Sequence, residues 1–398
     1  MTFRAWLNLL PRLASMRISV VCLLLLLILT AWGTVYQAQY GLYASQVRFF
    51  TSWYFLVGGF LPLPGAQLVL WVLFFNLAAS MLFRVNYSFA NIGNILTHGG
   101  FLFLLAGSFV TYKFSQESYL PLTEKEVSNV SLDRRDWELA VWSDGGFGNE
   151  KKVTALSISP KQVGEEIDFP EFGFKAMVQN YYRNCEASQD SGNGGFAANA
   201  EGINNLRTRR PSQDPEDDMA GANLRLKPLG GESQQMLIYG GQMTPNTFVS
   251  NGKTIQITLR KARHPLPITI KLIDVKKEEY PGTGIARVYQ SDVEVKGEGM
   301  NLKTRINMNH PLHYKDFTFY QASYSADAQG RESSVFAVVQ NQGRLLPYIS
   351  GTMIFGGMVI HFLVMLFAFG NRGAHANSKT EPKSRRAHKA KPANEVLK

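Results

Sequence analysis

Four runs of apolar residues, each long enough to cross a hydrocarbon core of roughly 30 Å at 1.5 Å per residue, constrain this chain more than any other feature. The first runs from Ile18 to about Tyr36. The second runs from Trp53 to Phe83 and contains Pro62, Pro64 and Gly65; the third runs from Ile92 to Tyr112 and the fourth from about Leu345 to Phe369. A polar stretch, Lys113 to Arg344, separates the last two. Hydrophobic residues make up 45% of the chain, yet mean hydropathy is −0.10, a balance that suits a few membrane helices joined to a large polar domain. The fold class expected is therefore a polytopic α-helical membrane protein with four transmembrane helices and a large extracytoplasmic domain.

Basic residues set the orientation, because Lys and Arg near span ends stay on the cytoplasmic side. Arg4, Arg12 and Arg17 precede the first run, and the tail beyond Gly370 carries Arg372, Lys379, Lys383, Arg385, Arg386, Lys389, Lys391 and Lys398 against Glu381 and Glu395. Both termini read as cytoplasmic, in an inner membrane, with 113–344 on the outer face. The expected division is an amphipathic N-terminus at 1–17, three spans within 18–112, the outer domain at 113–344, a fourth span at 345–370 and a basic tail at 371–398. Phe3, Trp6, Leu7, Leu10 and Leu13 form an apolar stripe suited to an interfacial anchor. A cleaved signal peptide is the alternative for the first run, but apolar sequence continues through Ala31, Trp32 and Val35 without a clear small-residue cleavage site. The net charge of +10 sits largely in the tail, where topology and anionic lipid account for it. No zinc-finger or RNA-binding signature accompanies it, so nucleic acid is not an expected partner.

Within 113–344 apolar and polar residues alternate as in half-buried strands. Ile255, Ile257 and Leu259 form one such set, Ile268, Ile270 and Leu272 a second, and Phe317, Phe319 and Gln321 a third. Asn251-Gly252, Pro281-Gly282 and Asn341-Gln342-Gly343 supply turn chemistry, and the domain is expected to be mostly antiparallel β. The stretch from about 187 to 232 is rich in Gly, Asn, Ser, Gln and Asp and reads as a flexible insertion. Cys22 lies in the first span and Cys185 in the outer domain, so topology keeps them from pairing; there is no C-x-x-C-H, so the chain is not itself a c-type cytochrome. Phosphate loops, H-E-x-x-H helices and G-x-S-x-G elbows are also absent. Glu165, Glu166, Asp168 and Glu171 read as a solvated acidic loop.

Two histidines lie inside apolar runs, His98 followed by Gly99-Gly100, and His361. An ionisable group at membrane depth is costly without a partner, which makes each a candidate site. Their depths match: roughly 9 Å from the cytoplasmic end for His98 and roughly 12 Å for His361 at 1.5 Å per residue. Gly99, Gly100 and Gly107 keep one side of the third span thin enough for another helix or a flat ligand. The plainer alternative is that each histidine hydrogen-bonds a neighbouring helix. Of the remaining histidines, His310 and His313 stand at an odd offset on a strand-like segment, His264 precedes a proline in an expected turn, and His375 and His388 lie in the tail.

Several strings together resemble ResB proteins of the system II cytochrome c maturation machinery. They are Arg12-Leu13-Ala14-Ser15-Met16-Arg17 leading into a leucine-rich run that ends Gly33-Thr34, Ser52-Trp53-Tyr54-Phe55, Asn76-Leu77 with Arg84, and His98-Gly99-Gly100. In the polar region, Tyr280-Pro281-Gly282-Thr283-Gly284 precedes Tyr289-Gln290-Ser291-Asp292-Val293, and Ile306 to Tyr314 precedes Phe319-Tyr320-Gln321. The resemblance implies a membrane complex with a CcsA-like multi-span partner that moves haem b outward and presents it to apocytochrome c. It also implies that His98 is one axial ligand to the haem iron, with the opposing histidine on the partner. His361 has no counterpart in that pattern and is a tentative second ligand. The Leu61 to Gln67 stretch departs from the pattern. A different functional class stays open at this stage: a b-type cytochrome subunit passing quinol electrons through His98 and His361.

Overall fold

Helices form where the apolar runs predict them, with one exception that reshapes the second run. In this computed structural model the described residues are 12–143, 152–189, 199–282, 286–327 and 329–378, and the side chains of 286 and 368–378 are not described. Four helices are long and apolar enough to cross a membrane: α1 (Met16–Tyr40), α2 (Ala66–Phe83), α3 (Ile92–Phe114) and α4 (Leu346–Ser378). The exception is Trp53 to Gly65. This stretch is not helix but a two-stranded antiparallel hairpin, β1 (Tyr54–Val57) and β2 (Leu61–Pro64), ahead of α2. Pro62 and Pro64 cannot donate within a helix and would break it, whereas an edge strand tolerates them. α4 continues to Ser378, eight residues into the expected tail. The N-terminal stripe other than Leu13, and the tail beyond Ser378, lie outside the described residues.

The chain divides into two compact units. The first gathers the N-terminal end of α1, most of α2 and α3, and α4. Within it, the carbonyls of Leu13, Ala14 and Ser15 sit where the chain breaks before α1, and such orphaned carbonyls need donors. Asn76 of α2 is almost fully buried and supplies them: its Nδ2 donates to Leu13 O and, at 3.0 Å, to Ser15 O, while its Oδ1 accepts from Ser19 Oγ at 2.5 Å. Arg84 Nη1 donates to Ala14 O at 2.8 Å. Removing the amide leaves two carbonyls and a hydroxyl unserved in an apolar setting. Asn76→Leu is thus expected to destabilise the detergent-solubilised protein by about 1–3 kcal/mol, read as a lowered thermal midpoint.

The second unit holds the rest of α1, the hairpin and the β domain. A ten-stranded sheet runs in the order β15-β14-β13-β4-β3-β18-β17-β16, with β12 paired to β13 and β5 to β4. Its members are β3 (Gln116–Thr123), β4 (Val127–Ser143), β5 (Thr154–Ile158), β12 (Asn246–Ser250), β13 (Lys253–Glu279), β14 (Ala286–Gly297), β15 (Met300–Asn307), β16 (Leu312–Tyr314), β17 (Phe317–Ala326) and β18 (Glu332–Gln340). A four-stranded sheet of β11 (Gln234–Tyr239), β10 (Gly221–Pro228), β7 (Phe174–Tyr182) and β6 (Glu166–Phe169) accompanies it, with a small pair β8 (Cys185–Ser188) and β9 (Asn205–Thr208). Every pairing between these strands is antiparallel.

Among the described residues two large apolar cores form, beside a small cluster of Cys185, Ile203, Leu206 and Leu237. One lies between β4, β5, β12 and the first part of β13 on one side and the four-stranded sheet on the other, around Leu139, Val141, Phe174, Leu224, Leu226, Ile255 and Ile257. The other gathers Leu120, Ile268, Ile270, Leu272, Val293, Phe319 and Phe336. The alternating sets read from the sequence are buried on the expected faces, Ile255, Ile257 and Leu259 in the first core and Ile268, Ile270, Leu272 and Phe319 in the second. Asn251-Gly252 turns β12 into β13 with both residues at positive φ (53° and 72°), the conformation a two-residue hairpin loop requires.

Three expectations are corrected here. The 187–232 stretch is not one loop: it contains β9 and β10, and Ala222, Leu224 and Leu226 of β10 are fully buried. Short apolar residues alternating inside a Gly- and Asn-rich composition conceal a central strand. Glu166 and Asp168 belong to β6 instead of a loop, with Glu166 paired to Lys227 and Glu171 to Lys152. These bonds hold both glutamates below the usual carboxylate range, the opposite of a catalytic acid. His264 lies within β13, not a turn. The β13–β4 register skips between Pro265 and Ile270, so Pro267 falls where no ladder bond to β4 is required of it.

Candidate functional site

The geometry around His98 begins with a glycine repeat on α3. Gly93, Gly100 and Gly107 recur every seventh residue and are the buried residues of that helix. A Cβ at Gly93 would stand 2.4 Å from the His361 amide nitrogen and 2.6 Å from Gly357 O; one at Gly100 would meet Ile354, and one at Gly107 would meet Leu346. Rising positions on α3 therefore meet falling positions on α4, and the two helices run antiparallel with their backbones in contact. Gly357 answers from the other side, where an added Cβ would strike Thr97 and Gly93 O. Small residues at such spacing let membrane helices close to backbone distance. Of the two uses that the sequence left open for Gly100 and Gly107, packing of another helix is the one observed. Gly99 faces only the methyl ends of Met81 and Met353, both 3.9 Å from its would-be Cβ.

His98 is five residues beyond Gly93, hence about 140° around the helix at 3.6 residues per turn, well away from this seam. Its Nδ1 lies 2.9 Å from Asn94 O, one turn back on the same helix. A carbonyl only accepts, so Nδ1 carries the proton and donates, which leaves the Nε2 lone pair unused. This fixes tautomer and ring direction as the outer partner of a metal-bound histidine does. Among the described residues the ring makes no bond to another helix, so the helix-to-helix hydrogen bond does not account for His98. The ring is half-buried, on a face it shares with Phe101, Leu105 and Tyr112.

His361 is placed differently. Its backbone packs on Gly93, and its ring has Phe362 as an edge neighbour at 5.9 Å but no hydrogen-bonding partner among the described residues. His361 meets α3 through its backbone at Gly93, whereas His98 stands about 140° around α3 from that glycine, so the two histidines take different positions about the α3–α4 contact.

Among the described residues the β domain adds no iron-type ligand set. His313 Nδ1 is 3.1 Å from Thr318 Oγ1, and the amide of His310 is taken up in a turn with Asn307. Cys185 is buried, and burial pushes its thiol up to about 12, so it is unreactive at neutral pH. Carboxylates of Glu124, Asp274 and Glu332 converge, but they are oxygen donors partly engaged by Lys276 and Tyr324. A cavity of about 730 Å³ is lined by Gly33, Gln37, Tyr43, Phe50 and Arg135 among others, with no histidine or cysteine.

Among the described residues His264 makes the one histidine–carboxylate contact, Nε2 to Asp133 Oδ2 at 3.0 Å. Burial alone would raise the Asp133 carboxyl, but the amides of Asp136 and Arg135 together with His264 outweigh it and hold it below the ordinary 3.8. A lowered folded-state value contributes stability that is present above 3.8 and lost as pH falls through the folded value. Asp133→Asn should therefore lower stability at neutral pH and flatten the acid limb of the unfolding curve below about pH 4, followed by circular dichroism of the full chain.

These features have a family context. The model of the ResB-like family matches residues 87–353, well over half of the chain and inclusive of His98 and the whole of the β domain. The chain belongs to the ResB-like family. Protein NrfI of Wolinella succinogenes is 28% identical to it over 101 residues, 25% of this ResB-like chain and 11% of NrfI. The matched stretch thus spans a small part of that relative's length. Sequence reasoning named His98 but passed over Gly93, Gly357 and Thr97; the seven-residue recurrence 93, 100, 107 is the signal that would have found the seam.

Proposed function

We propose that this protein is a subunit of a cytochrome c synthase complex, in which His98 supplies one axial ligand to transported haem b inside the membrane and the β domain stands on the outer face as a scaffold for haem attachment to apocytochrome c. Membership of the ResB-like family and similarity to NrfI support a role in cytochrome c biogenesis. The observation that carries the finer reading is the His98 ring itself, whose Nδ1 is spent on Asn94 O and whose Nε2 is free on a face of α3 that α4 does not occupy.

Such a ring can offer iron a neutral nitrogen but cannot complete a six-coordinate site alone. The opposing ligand is assigned to a CcsA-like multi-span partner laid along the His98, Phe101, Leu105, Tyr112 face. In this reading all four helices cross the inner membrane, with both termini in the cytoplasm and lipid around them. His361 is left as a helix-contact residue, and the alternative, a b-type electron-transfer subunit using His98 and His361 together, is disfavoured because the backbones of α3 and α4 meet beside His361. The test is co-expression with the multi-span partner, purification of the complex, and its haem absorption spectrum. A bis-imidazole spectrum that disappears in His98→Ala supports the assignment. A spectrum indifferent to that change removes it.

A further inference from the structure

The β1–β2 hairpin plays no part in the haem reading, yet it carries an unusual concentration of uncovered apolar side chains. Tyr54 is 64% exposed, Leu56 46% and Phe60, at the tip, 82%, with Trp53 and Leu61 also open. From Phe49 to Phe83 there is not one charged residue. A patch of this kind in water would invite aggregation. We propose that the hairpin is an interfacial anchor, seated among headgroups and upper acyl chains of the leaflet on the β-domain side. This rests on the reading that α1 and α2 span the bilayer.

Depth is the first support. Phe55 faces away from the open side and packs edge-on against Trp32 of α1 at 5.8 Å and against Phe49 at 4.9 Å. Trp32 lies about 12 Å before the end of α1 at 1.5 Å per residue, so the hairpin runs beside the last turns of a membrane-capable helix instead of beyond them. Trp and Tyr are the side chains that favour this boundary.

The backbone is the second support. An open two-stranded ribbon is normally unsuited to an apolar medium because both outer edges present unpaired amides and carbonyls. Here Gly65 N donates to Trp53 O at 2.9 Å, which makes 53/65 a bonded pair, and with it 55/63 and 57/61 in the alternation of an antiparallel ladder. The intervening residues of β2, whose amides would point outward, are Pro62 and Pro64. Neither has an N–H, so that edge exposes no donor. On the other edge Arg48 Nη2 donates to the outward carbonyl of Leu56 at 3.1 Å, while its guanidinium lies over the rings of Tyr36, Phe49 and Phe55. One edge thus presents no donor and the other has the Leu56 carbonyl met by Arg48, which lowers the cost of placing this ribbon in a poorly hydrated setting.

The experiment places a nitrobenzoxadiazole label at Phe60→Cys in the full chain, reconstituted in phosphatidylcholine and phosphatidylglycerol vesicles; Cys22 and Cys185 are buried and leave the new thiol as the reactive one. Met243→Cys, at a 94% exposed position of the β domain, serves as the aqueous reference, and Phe75→Cys on the open side of α2 as the deep reference. The expected result is blue-shifted emission at position 60, several-fold weaker iodide quenching than at position 243, and strong quenching by lipids that carry a nitroxide high on the acyl chain. Iodide quenching equal to that at 243 overturns the anchor. Protection from iodide without quenching by nitroxide lipid also overturns it, because protein, such as a second copy, then covers the tip. If the label at 75 is untouched by deep nitroxide lipids, the premise that α2 spans the bilayer fails, and that failure is distinguishable from the other two.

Discussion

Haem is expected to disappear from the purified complex when His98 is replaced by alanine, and to return in part when free imidazole is supplied. The argument turns on which nitrogen is available. Helix α3 holds the ring by Nδ1 on Asn94 O, so Nε2, the nitrogen proposed as ligand, is presented in a fixed direction with no side-chain partner among the described residues to displace. Loss of an outer-shell partner of a metal-bound histidine typically costs about 10–100-fold in affinity, and loss of the ligand itself should exceed that range. Exogenous imidazole can enter the space vacated by the ring, which separates a missing ligand from a misfolded helix. His361→Ala is the matched comparison. His361 meets α3 through its backbone at Gly93, so the haem content of this variant should stay near that of the wild type. Equal losses from both variants would point back to a site that uses both histidines.

The second large effect concerns the seam and not the ligand. Gly93→Val, and even Gly93→Ala, should unsettle the helical unit, because the nearest atoms to a new Cβ are the His361 amide nitrogen at 2.4 Å and Gly357 O at 2.6 Å. Backbone atoms cannot rotate aside as a side chain can, so α3 and α4 must separate along their length. Overpacking a well-filled interior costs about 1–3 kcal/mol, and a backbone obstruction belongs at or above the top of that range. Gly99→Ala is the internal control on the same helix. Its new methyl meets only two methionine methyls at 3.9 Å, ordinary contact, and its thermal midpoint in detergent should hardly change.

How much of this was legible in the sequence depended on whether the relevant partner was near in the chain. Alternation at period two placed the strands of both cores, and Asn251-Gly252 named its turn, since both signals are local. The hairpin was not legible because an unbroken apolar run has no period to read: a buried strand and a membrane helix look alike in it, and only the two prolines hinted otherwise. β10 was concealed by composition for the converse reason. Asn76 and Arg84 stood out as a pattern without a mechanism, because the carbonyls they serve lie more than sixty residues earlier. For the site, His98 was legible as a costly group in an apolar helix. That its proton is committed to Asn94, and that His361 sits on a different contact, required the rotamer and the packing of α3 on α4.

One strand sets a limit on how the β domain can be divided. β13 extends from Lys253 to Glu279 and lends Ile255 and Ile257 to one core and Ile268 and Ile270 to the other. Neither half owns its full set of walls. A fragment cut anywhere along this shared beam would leave one interior open to water, so the domain should melt as a single cooperative body and resist being trimmed to a smaller independent module.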